Sequence, residues 1–196
     1  MIECFNTCEK LCHNIHLPVQ CGSDRLLKRM NRHYDTARYL EIVDKLRAAC
    51  PDITISTDII VAFPGETEED FEGTLDIAKR VRYDSAFTFI YSPREGTPAA
   101  KFPDQIPDEV AHRRFDRLVD VMNTISLEKN QAYMGKTYDV LVEGVSKNAE
   151  DTYAGRTDGF KLVNFTSSKK PEEIIGTTVP VMITECKTFS LEGVEK

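Results

Sequence analysis

Polar side chains alternate with apolar ones along a β-rich segment at residues 53–62, which ends in TDIIVA. Successive side chains of a strand point to opposite faces, so Thr54, Ser56 and Asp58 share one face of the predicted strand. In α/β barrels, ligands bind at the carboxyl ends of the strands. Asp58 is therefore a candidate for holding the two hydroxyls of a ribose. The alternative is an aspartate bonded to water or to a cap near the strand end.

A second polar row is predicted on NIHLPVQ at residues 14–20, where His16, Pro18 and Gln20 share one face. Gln20 stands at the end of this strand, and its amide can both donate and accept hydrogen bonds. His16 could have a structural hydrogen-bonding role or bind a ligand, and the sequence leaves both open.

Two further groups stand where an element ends. Phe63-Pro64-Gly65-Glu66 leads into a helix start at Thr67, and a strand, a tight glycine turn and a helix N-terminus form a usual ligand edge. Any βα turn could nevertheless use these residues. Arg32 follows the first predicted helix, where its guanidinium could clamp a carboxylate with two hydrogen bonds or lie in solvent.

Three of the six cysteines are regularly spaced, at Cys4, Cys8 and Cys12. At steps of four residues they would line one stripe of a helix, and a helix cannot wrap three thiols around one cluster. Cluster-binding cysteines usually stand on loops that fold around the metal. We therefore expect these thiols to be buried or incidental, and we predict no metal site.

Aromatic and polar side chains are interleaved near the C-terminus. This mixture suits stacking on nucleobases together with contacts to a nucleic-acid backbone, although each ring alone fits a barrel core equally well. The basic and amide candidates are Lys136, Arg156, Lys161 and Asn164, and the aromatic ones are Tyr153, Phe160 and Phe165.

The elements that must position these residues follow from the hydrophobic period, which changes along the chain. Up to about Met134, short apolar runs alternate with helical patterns, and beyond Gly135 short β-rich runs follow one another. The predicted elements of the first region are a strand at 14–20, a helix capped by Ser23 and ending at Arg29, a helix at 36–49, a strand at 53–62, a helix opened by a Thr67–Asp70 capping box, a strand at 85–91 and a long helix from Pro107 to about Met134.

Strands that alternate with helices imply a parallel sheet. Three parallel strands alone leave open edges, so the α/β region is predicted to be half of something larger. The tail is predicted to form about five short strands with a hairpin at Asp158-Gly159, in a small barrel of a kind that commonly binds nucleic acid. The predicted fold class is α/β followed by an all-β barrel, with the boundary between residues 133 and 134.

Composition narrows the class of protein further. The 196 residues are 41% hydrophobic and 29% charged, with a formal net charge of −7. Such a chain does not grip nucleic acid by bulk charge, so an RNA partner would need a local basic patch. The sequence contains no run of ~18 apolar residues and no secretory signal, and its cysteines are expected to be reduced. These features predict a cytoplasmic protein without a membrane partner.

Three motifs, HLPVQCGSDRLLKRMNRHY, TDIIVAFPGETEEDF and FIYSPREGTPAA, occur in this order. Together they resemble the radical S-adenosylmethionine (SAM) methylthiotransferases, and they look most like the group that modifies isopentenyladenosine in tRNA. The tail resembles the TRAM domain, an oligonucleotide-binding (OB)-like barrel that holds tRNA in this family. The resemblance runs through nearly the whole chain. It implies the C-terminal half of a radical SAM barrel, a partial TIM-type barrel, followed by a TRAM domain.

The resemblance implies roles for individual residues. Gln20 and Asp58 would hold the ribose of S-adenosylmethionine and Arg32 its carboxylate, in agreement with the strand faces described above. The other residues on the cofactor side would be Phe63 and Pro64 near the adenine and Ser23 in the neighbouring turn. Cys21 stands where many relatives have serine. The residues that would contact the tRNA backbone are Lys136, Arg156, Lys161 and Asn164.

The sequence departs from the family in its cysteines. The family holds its radical cluster on a C-x3-C-x2-C loop and a second cluster on three cysteines of an N-terminal domain, and neither set occurs here. Cys4, Cys8 and Cys12 are spaced C-x3-C-x3-C, so their second interval differs from that of the family motif. The strand that follows them is also not the one that follows the cluster loop in the family. We therefore expect the chain to carry the second half of the barrel, the linking helix and the TRAM domain. We also expect Met1 to mark a truncation rather than a natural start, and the chain alone to have no turnover.

The reaction that the resemblance implies for the whole protein is a radical methylthiolation. A reduced [4Fe-4S] cluster cleaves S-adenosylmethionine to a 5′-deoxyadenosyl radical, which abstracts hydrogen from C2 of isopentenyladenosine beside the anticodon. Sulfur comes through the second cluster, and the methyl group from another S-adenosylmethionine. The full-length protein is expected to be a monomer that binds the tRNA anticodon stem-loop. The alternatives are an RNA-binding module only, or a methylthiotransferase that acts on another modified adenosine.

Overall fold

The computed structural model describes residues 2–146 and 152–196, which form two compact units. The α/β unit comprises residues 15–51 and 55–125. The barrel unit comprises the described residues within 1–14, 52–54 and 126–196. The domain boundary between residues 133 and 134 stays a prediction.

Six α-helices and eight strands are described, with one short 3-10 helix at Pro98–Lys101. The α-helices are α1 (Cys4–Thr7), α2 (Asp24–Arg29), α3 (Thr36–Ala49), α4 (Glu68–Val81), α5 (Asp108–Gln131) and α6 (Pro171–Ile174). The strands are β1 (Asn14–His16), β2 (Thr54–Val61), β3 (Ser85–Ile90), β4 (Thr137–Val145), β5 (Thr152–Thr157), β6 (Leu162–Thr166), β7 (Thr178–Cys186) and β8 (Leu191–Glu195).

The predicted sheet of the α/β region is confirmed, with strand order β1-β2-β3. Strands β2 and β3 run parallel, and their register sets Asp58 beside Phe87 and Ile60 beside Phe89. Ile55, Ile59 and Val61 are buried on the other face of β2. The alternation predicted for this strand is therefore present, and it leaves Asp58 on the half-open face.

Helix α4 begins at the predicted capping box. The Thr67 side chain accepts a hydrogen bond from the backbone N–H of Asp70, and the Asp70 carboxylate accepts one from the N–H of Thr67 (2.8 Å). Phe71, Leu75 and Ala78 are buried on the face that the 3.6-residue period predicts. The box thus fixes the point where the chain leaves the β2 turn.

Strand β1 is shorter than predicted, because it ends at His16 instead of Gln20. Pro18 has no backbone N–H to donate to a ladder. The N–H of Leu17 still donates to the Ser56 carbonyl (2.8 Å). The next bridge is at Gln20, whose N–H donates to the Asp58 carbonyl (2.9 Å) and whose carbonyl accepts from the Ile60 N–H (2.8 Å). Gln20 reaches this position with a left-handed backbone (φ 67°), which is uncommon for a residue other than glycine.

The prediction that Cys4, Cys8 and Cys12 line one helical stripe is wrong. Helix α1 ends at Thr7, and Cys8 is already extended. All three thiols are exposed. Within residues 2–146 and 152–196, no three cysteine thiols lie within 4.8 Å of one another.

Helix α5 is the longest helix, and Leu118, Met122 and Ile125 are buried along its predicted apolar stripe. The rest of its circumference is largely charged or polar. No helix in the described part of the chain is long and apolar enough to cross a membrane.

The tail forms a closed barrel of five strands in the order β4-β5-β6-β8-β7, as the sequence predicted in outline. Strands β6 and β8 pair in parallel, and the other neighbours are antiparallel. The predicted hairpin joins β5 to β6, but Phe160, not Gly159, has the positive φ (61°) in its turn. The short helix α6 was not predicted, and its Ile174 lies in the barrel core.

Candidate functional site

A cleft of about 580 Å³ opens at the carboxyl ends of the strands in the α/β unit. Clefts of roughly 300–1,000 Å³ are typical of small-molecule sites. Three of the predicted cofactor residues, Gln20, Arg32 and Asp58, line this cleft. The residues that complete its lining are Ile60, Phe89, Ile90, Tyr91, Ser92, Arg94, Thr97 and Ala99.

Gln20 and Asp58 are held side by side by the backbone. The N–H of Gln20 donates to the carbonyl of Asp58, so the two residues keep one register whatever their side chains do. Within the described residues, the Gln20 amide has no side-chain hydrogen bond. The Asp58 carboxylate is 32% exposed and lies 3.4 Å from Nε2 of His16. His16 in turn lies 3.0 Å from the Ser56 hydroxyl, which favours the structural role for this histidine.

Arg32 enters the cleft from the end of α2. Asn31 has a left-handed backbone (φ 59°), and the N–H of Arg32 donates to the carbonyl of Leu27 (2.8 Å). These contacts turn the chain sharply after the helix and fix the backbone of Arg32. Its side chain is exposed, and in the part of the chain that the structure describes it forms no ion pair. The guanidinium is therefore available to an anionic ligand.

A close backbone approach locks the turn between Gln20 and α2. A Cβ on Gly22 would lie 2.1 Å from the carbonyl oxygen of Gly73 in α4, so only glycine fits there. The N–H of Gly22 also donates to the Thr74 hydroxyl (2.9 Å). Helix α4 thereby fixes the strand end that carries Gln20.

Ser23 is occupied by structural hydrogen bonds and does not line the cleft. Its hydroxyl caps α2 at the N–H of Leu26 (3.3 Å) and donates to Asp70 (2.5 Å). Burial acts to raise the pKa of Asp70, but hydrogen bonds from Arg25, Ser23 and Thr67 outweigh it and hold that pKa below its ordinary value. Ser23 is therefore better described as a support for the turn.

The thiol beside this turn is buried. Burial raises the pKa of Cys21 to about 11, so the free thiol is protonated at neutral pH.

Phe63 and Pro64 lie beneath the cleft and do not line it. Both are buried. The Phe63 ring packs edge-on against Tyr91, with ring centres 5.1 Å apart, and Tyr91 belongs to the cleft lining. Contact between Phe63 and a ligand would thus pass through Tyr91.

A buried ion pair holds the end of β2 in place. Ala62 has a left-handed backbone (φ 60°), and its N–H donates to the Glu66 carboxylate (2.9 Å). Burial raises the pKa of Glu66, and the Arg114 guanidinium 2.9 Å away opposes that shift. Both side chains are almost fully buried. Removing either partner would leave an uncompensated buried group directly behind the cleft.

Residues 89–97 contribute to the lining of the cleft, although the sequence predicted no role for them. Phe89 and Tyr91 come from β3 and its end, whereas Ser92, Arg94 and Thr97 come from the loop that follows. This loop is part of the SPREGTPAA motif, so the signal was present in the sequence. Its place beside Gln20 and Asp58 depends on the strand order, which the motif does not contain.

The four predicted RNA contacts differ in how accessible they are. Lys136 is exposed and forms no ion pair with any described residue. Arg156 lies on the outer face of β5, where its Nε is 3.3 Å from Glu143 and its guanidinium stacks on Phe160, 4.2 Å from the ring centre. Asn164 is half-buried and donates to Glu192 (3.4 Å).

Lys161 is not displayed on the barrel surface. Only 8% of it is exposed, and its Nζ lies 5.8 Å from the centre of the Tyr133 ring. A phosphate cannot reach this ammonium without a change in packing. We therefore leave Lys161 out of the contact surface proposed below.

Comparison with known proteins defines the two regions. Residues 6–78 match the family model of the radical SAM superfamily, and residues 131–194 match that of the TRAM domain. The fold is similar to that of coproporphyrinogen III oxidase (HemN) from Escherichia coli, a radical SAM enzyme, with a TM-score of 0.51, 17% identity, and coverage of 74% of this chain and 41% of that one. The chain therefore joins a segment of a radical SAM domain to a TRAM domain.

Matches to curated relatives point to a narrower group of enzymes than the family models do. The chain is 57% identical over 195 residues to tRNA-2-methylthio-N(6)-dimethylallyladenosine synthase of Clostridium botulinum. This match covers 100% of this chain and 43% of the relative. It is 53% identical over 194 residues to the synthase of the same name from Clostridioides difficile, covering 99% of this chain and 40% of the relative. These matches confirm the predicted resemblance to radical SAM methylthiotransferases. The chain spans less than half the length of these relatives.

Proposed function

We propose that this chain is the part of a tRNA methylthiotransferase that holds the ribose and carboxylate of S-adenosylmethionine and contacts tRNA through its TRAM barrel. The observation that carries the proposal is the meeting of Gln20, Arg32 and Asp58 in one cleft. These residues come from strand β2, from an isolated bridge beside it at Gln20, and from the turn after helix α2. Each was selected from the sequence before the cleft was known.

The donor set of the cleft fits S-adenosylmethionine. The Asp58 carboxylate can accept hydrogen bonds from both ribose hydroxyls, and the Gln20 amide can donate or accept beside it. The Arg32 guanidinium can bind the carboxylate of the methionine part with two parallel hydrogen bonds. When bound, S-adenosylmethionine supplies the radical and the methyl group of the reaction. The residues named here bind it and fix its orientation.

The described cysteines do not fit a [4Fe-4S] cluster. Cys4, Cys8 and Cys12 are exposed and stand apart, whereas cluster ligands converge on one centre. No step of the mechanism is therefore assigned to a cluster held by this chain. The clusters that the family uses would need ligands beyond those described here.

The TRAM barrel supports an RNA partner, and we propose the tRNA anticodon stem-loop. Lys136, Arg156 and Asn164 are its candidate contacts, with Phe160 as an exposed ring beside Arg156. Neutral hydrogen bonds from Asn164 and charged ones from the basic side chains would fix the backbone and carry no sequence information themselves. We further propose that the full-length enzyme is a cytoplasmic monomer.

Nucleoside analysis of cellular tRNA tests the proposed activity. Deleting the gene that encodes this sequence should remove 2-methylthio-isopentenyladenosine from total tRNA digests and cause isopentenyladenosine to accumulate, as measured by mass spectrometry. Loss of the methylthio group from a different modified adenosine would favour the alternative substrate. An unchanged nucleoside profile would contradict a methylthiotransferase and favour a module that only binds RNA.

A further inference from the structure

One wall of the cleft is not used by the proposed cofactor contacts. Gln20, Arg32 and Asp58 account for the ribose and the carboxylate of S-adenosylmethionine. Two other residues of the lining, Phe89 on β3 and Arg94 in the loop after it, have no part in that scheme. Their chemistry differs from that of a purely apolar wall, since it combines a half-exposed ring with a guanidinium.

The cleft contains more positive charge than the cofactor needs. Its lining includes two arginines, Arg32 and Arg94, but only one carboxylate, that of Asp58. S-adenosylmethionine itself carries a sulfonium and an ammonium against one carboxylate, so its net charge is positive. A second guanidinium beside a cationic ligand is unfavourable unless an anion accompanies it. An overall charge of −7 makes this local excess more pronounced.

The backbone of Arg94 is fixed while its side chain remains open. Its carbonyl accepts hydrogen bonds from the hydroxyl (2.8 Å) and the N–H (3.1 Å) of Thr97. Gly96 completes this turn with a positive φ (84°). The guanidinium is exposed and forms no ion pair with the residues that the structure describes. By contrast, Arg25 and Arg29 of the same unit pair with Asp70 and Asp104.

Phe89 offers a flat apolar surface to the same cleft. Half of its surface (50%) is exposed, although it stands on a strand whose neighbour β2 is well packed. A ring next to an unpaired guanidinium is the combination with which proteins hold an unstacked nucleotide, the ring contacting the base and the guanidinium the phosphate.

We infer that Phe89 and Arg94 form the RNA side of the cleft, with Arg94 binding a phosphate that flanks the target nucleotide and Phe89 contacting its base. The inference rests on the proposed function, because it takes the opposite wall to hold S-adenosylmethionine. Arg94 thereby positions the target nucleotide. Its guanidinium neutralises the negative charge of the RNA backbone next to the cationic cofactor.

Binding of a short fluorescent RNA hairpin that carries isopentenyladenosine tests this inference. Its affinity for the full chain is measured by anisotropy over a range of salt concentrations, with and without S-adenosylmethionine, for Arg94→Gln and Phe89→Leu. Arg113→Gln, at an exposed arginine on α5 outside the cleft lining, is the matched control. Calorimetric titration of S-adenosylmethionine into each variant is run in parallel.

Arg94→Gln should weaken hairpin binding about 10-fold, since hydrogen bonds to charged groups contribute most per contact. The slope of log affinity against log salt should fall by about one. Phe89→Leu should weaken binding several-fold with an unchanged salt slope. Both variants should bind S-adenosylmethionine within about two-fold of the wild type, and Arg113→Gln should change neither affinity.

Equal hairpin affinity in Arg94→Gln and Arg113→Gln would overturn the inference and leave the proposed cofactor site standing. A 10-fold loss of S-adenosylmethionine affinity in Arg94→Gln would also overturn it, because Arg94 would then belong to the cofactor side. Failure of the wild type to bind S-adenosylmethionine would contradict the proposed function. The hairpin measurements without cofactor would still decide the role of Arg94.

Discussion

The cleft of the α/β unit and the outer face of the barrel both display basic side chains, but these side chains differ in whether they form ion pairs. In the cleft, Arg32 and Arg94 are exposed and without ion pairs among the described residues. On the barrel, Lys187 pairs with Glu192 at 3.0 Å and Lys169 pairs with Glu195. The two arginines of the cleft are thus free to bind an anionic ligand, whereas these two barrel lysines are already neutralised by glutamates.

This difference teaches what kind of binding each region supports. An unpaired guanidinium gains a partner when an anion binds. A paired one must first exchange its carboxylate for a phosphate, so the net gain is small. Arg156, shared between Glu143 and the Phe160 ring, is of the second kind. Lys136 is of the first kind, because it is exposed and lacks an ion pair within the described residues.

The largest effect is expected behind the cleft, where the ion pair is buried. Arg114→Ala would leave Glu66 buried without its cation, at a cost of about 3–5 kcal/mol in the free energy of unfolding. Arg156→Ala, which breaks a partly exposed pair, should cost less than about 1 kcal/mol. Urea denaturation of both variants makes the comparison, and equal losses would show that burial does not separate the two pairs.

A smaller, pH-dependent effect is expected at Asp70. Its pKa in the native state lies below the ordinary value of 3.8, so the unfolded chain binds the proton more readily. Its contribution to stability is complete above that value and is lost as the pH falls through the range below it. Asp70→Asn should lower the free energy of unfolding by about 1–3 kcal/mol at neutral pH.

The difference between wild type and Asp70→Asn should therefore shrink on acidification, as followed by urea denaturation at several pH values. Glu66 contributes in the opposite direction, because its raised pKa makes stability fall as the pH rises above its ordinary value of 4.5, and the charge of Asp70 adds to that raised pKa. A difference that stayed constant down to low pH would mean that Asp70 is not held in its charged form.

On the barrel, we expect Lys136→Gln to weaken tRNA binding more than Arg156→Gln does. Loss of one unpaired cation should cost about 3- to 10-fold in affinity and lower the salt slope by about one. Glu143→Gln should strengthen binding, because it frees Arg156, and Glu172→Gln on α6 gives the same charge change as a control. Filter binding over a salt series measures all four, and equal gains in the two glutamate variants would mean that only net charge matters.

The smallest effect is expected at Lys161. Since its ammonium is buried against Tyr133, Lys161→Met should leave tRNA affinity within about two-fold of the wild type. Circular dichroism of the variant controls for folding. A 10-fold loss of affinity in a folded variant would mean that Lys161 leaves its buried position when RNA binds.

Local signals in the sequence predicted the elements of the α/β unit well. The Thr67–Asp70 capping box and the apolar face of α4 depend on residues within a few positions of one another, and these predictions were confirmed. The strand at 14–20 was overextended, because Pro18 and the left-handed Gln20 interrupt the ladder in a way that alternation of polar and apolar residues does not reveal.

The site was predicted in part for a similar reason. Asp58 could be selected because strand faces follow from a two-residue period. The same period selected Gln20, although this residue lies outside strand β1 and has a left-handed backbone. The place of Arg94 in the cleft lining was missed because its proximity to Gln20 and Asp58 depends on the pairing of β2 with β3. The burial of Lys161 was missed as well, since a lysine in a turn is usually exposed, and its packing near Tyr133 involves a residue far away in the sequence.

Calorimetric titration of S-adenosylmethionine into the wild-type chain and into Asp58→Asn and Arg32→Gln tests the central claim most directly. We predict saturable one-to-one binding to the wild type, a loss of at least about 10-fold in each variant, and unchanged binding in Arg113→Gln. Equal affinities in all four proteins would contradict the assignment of the cleft to this cofactor.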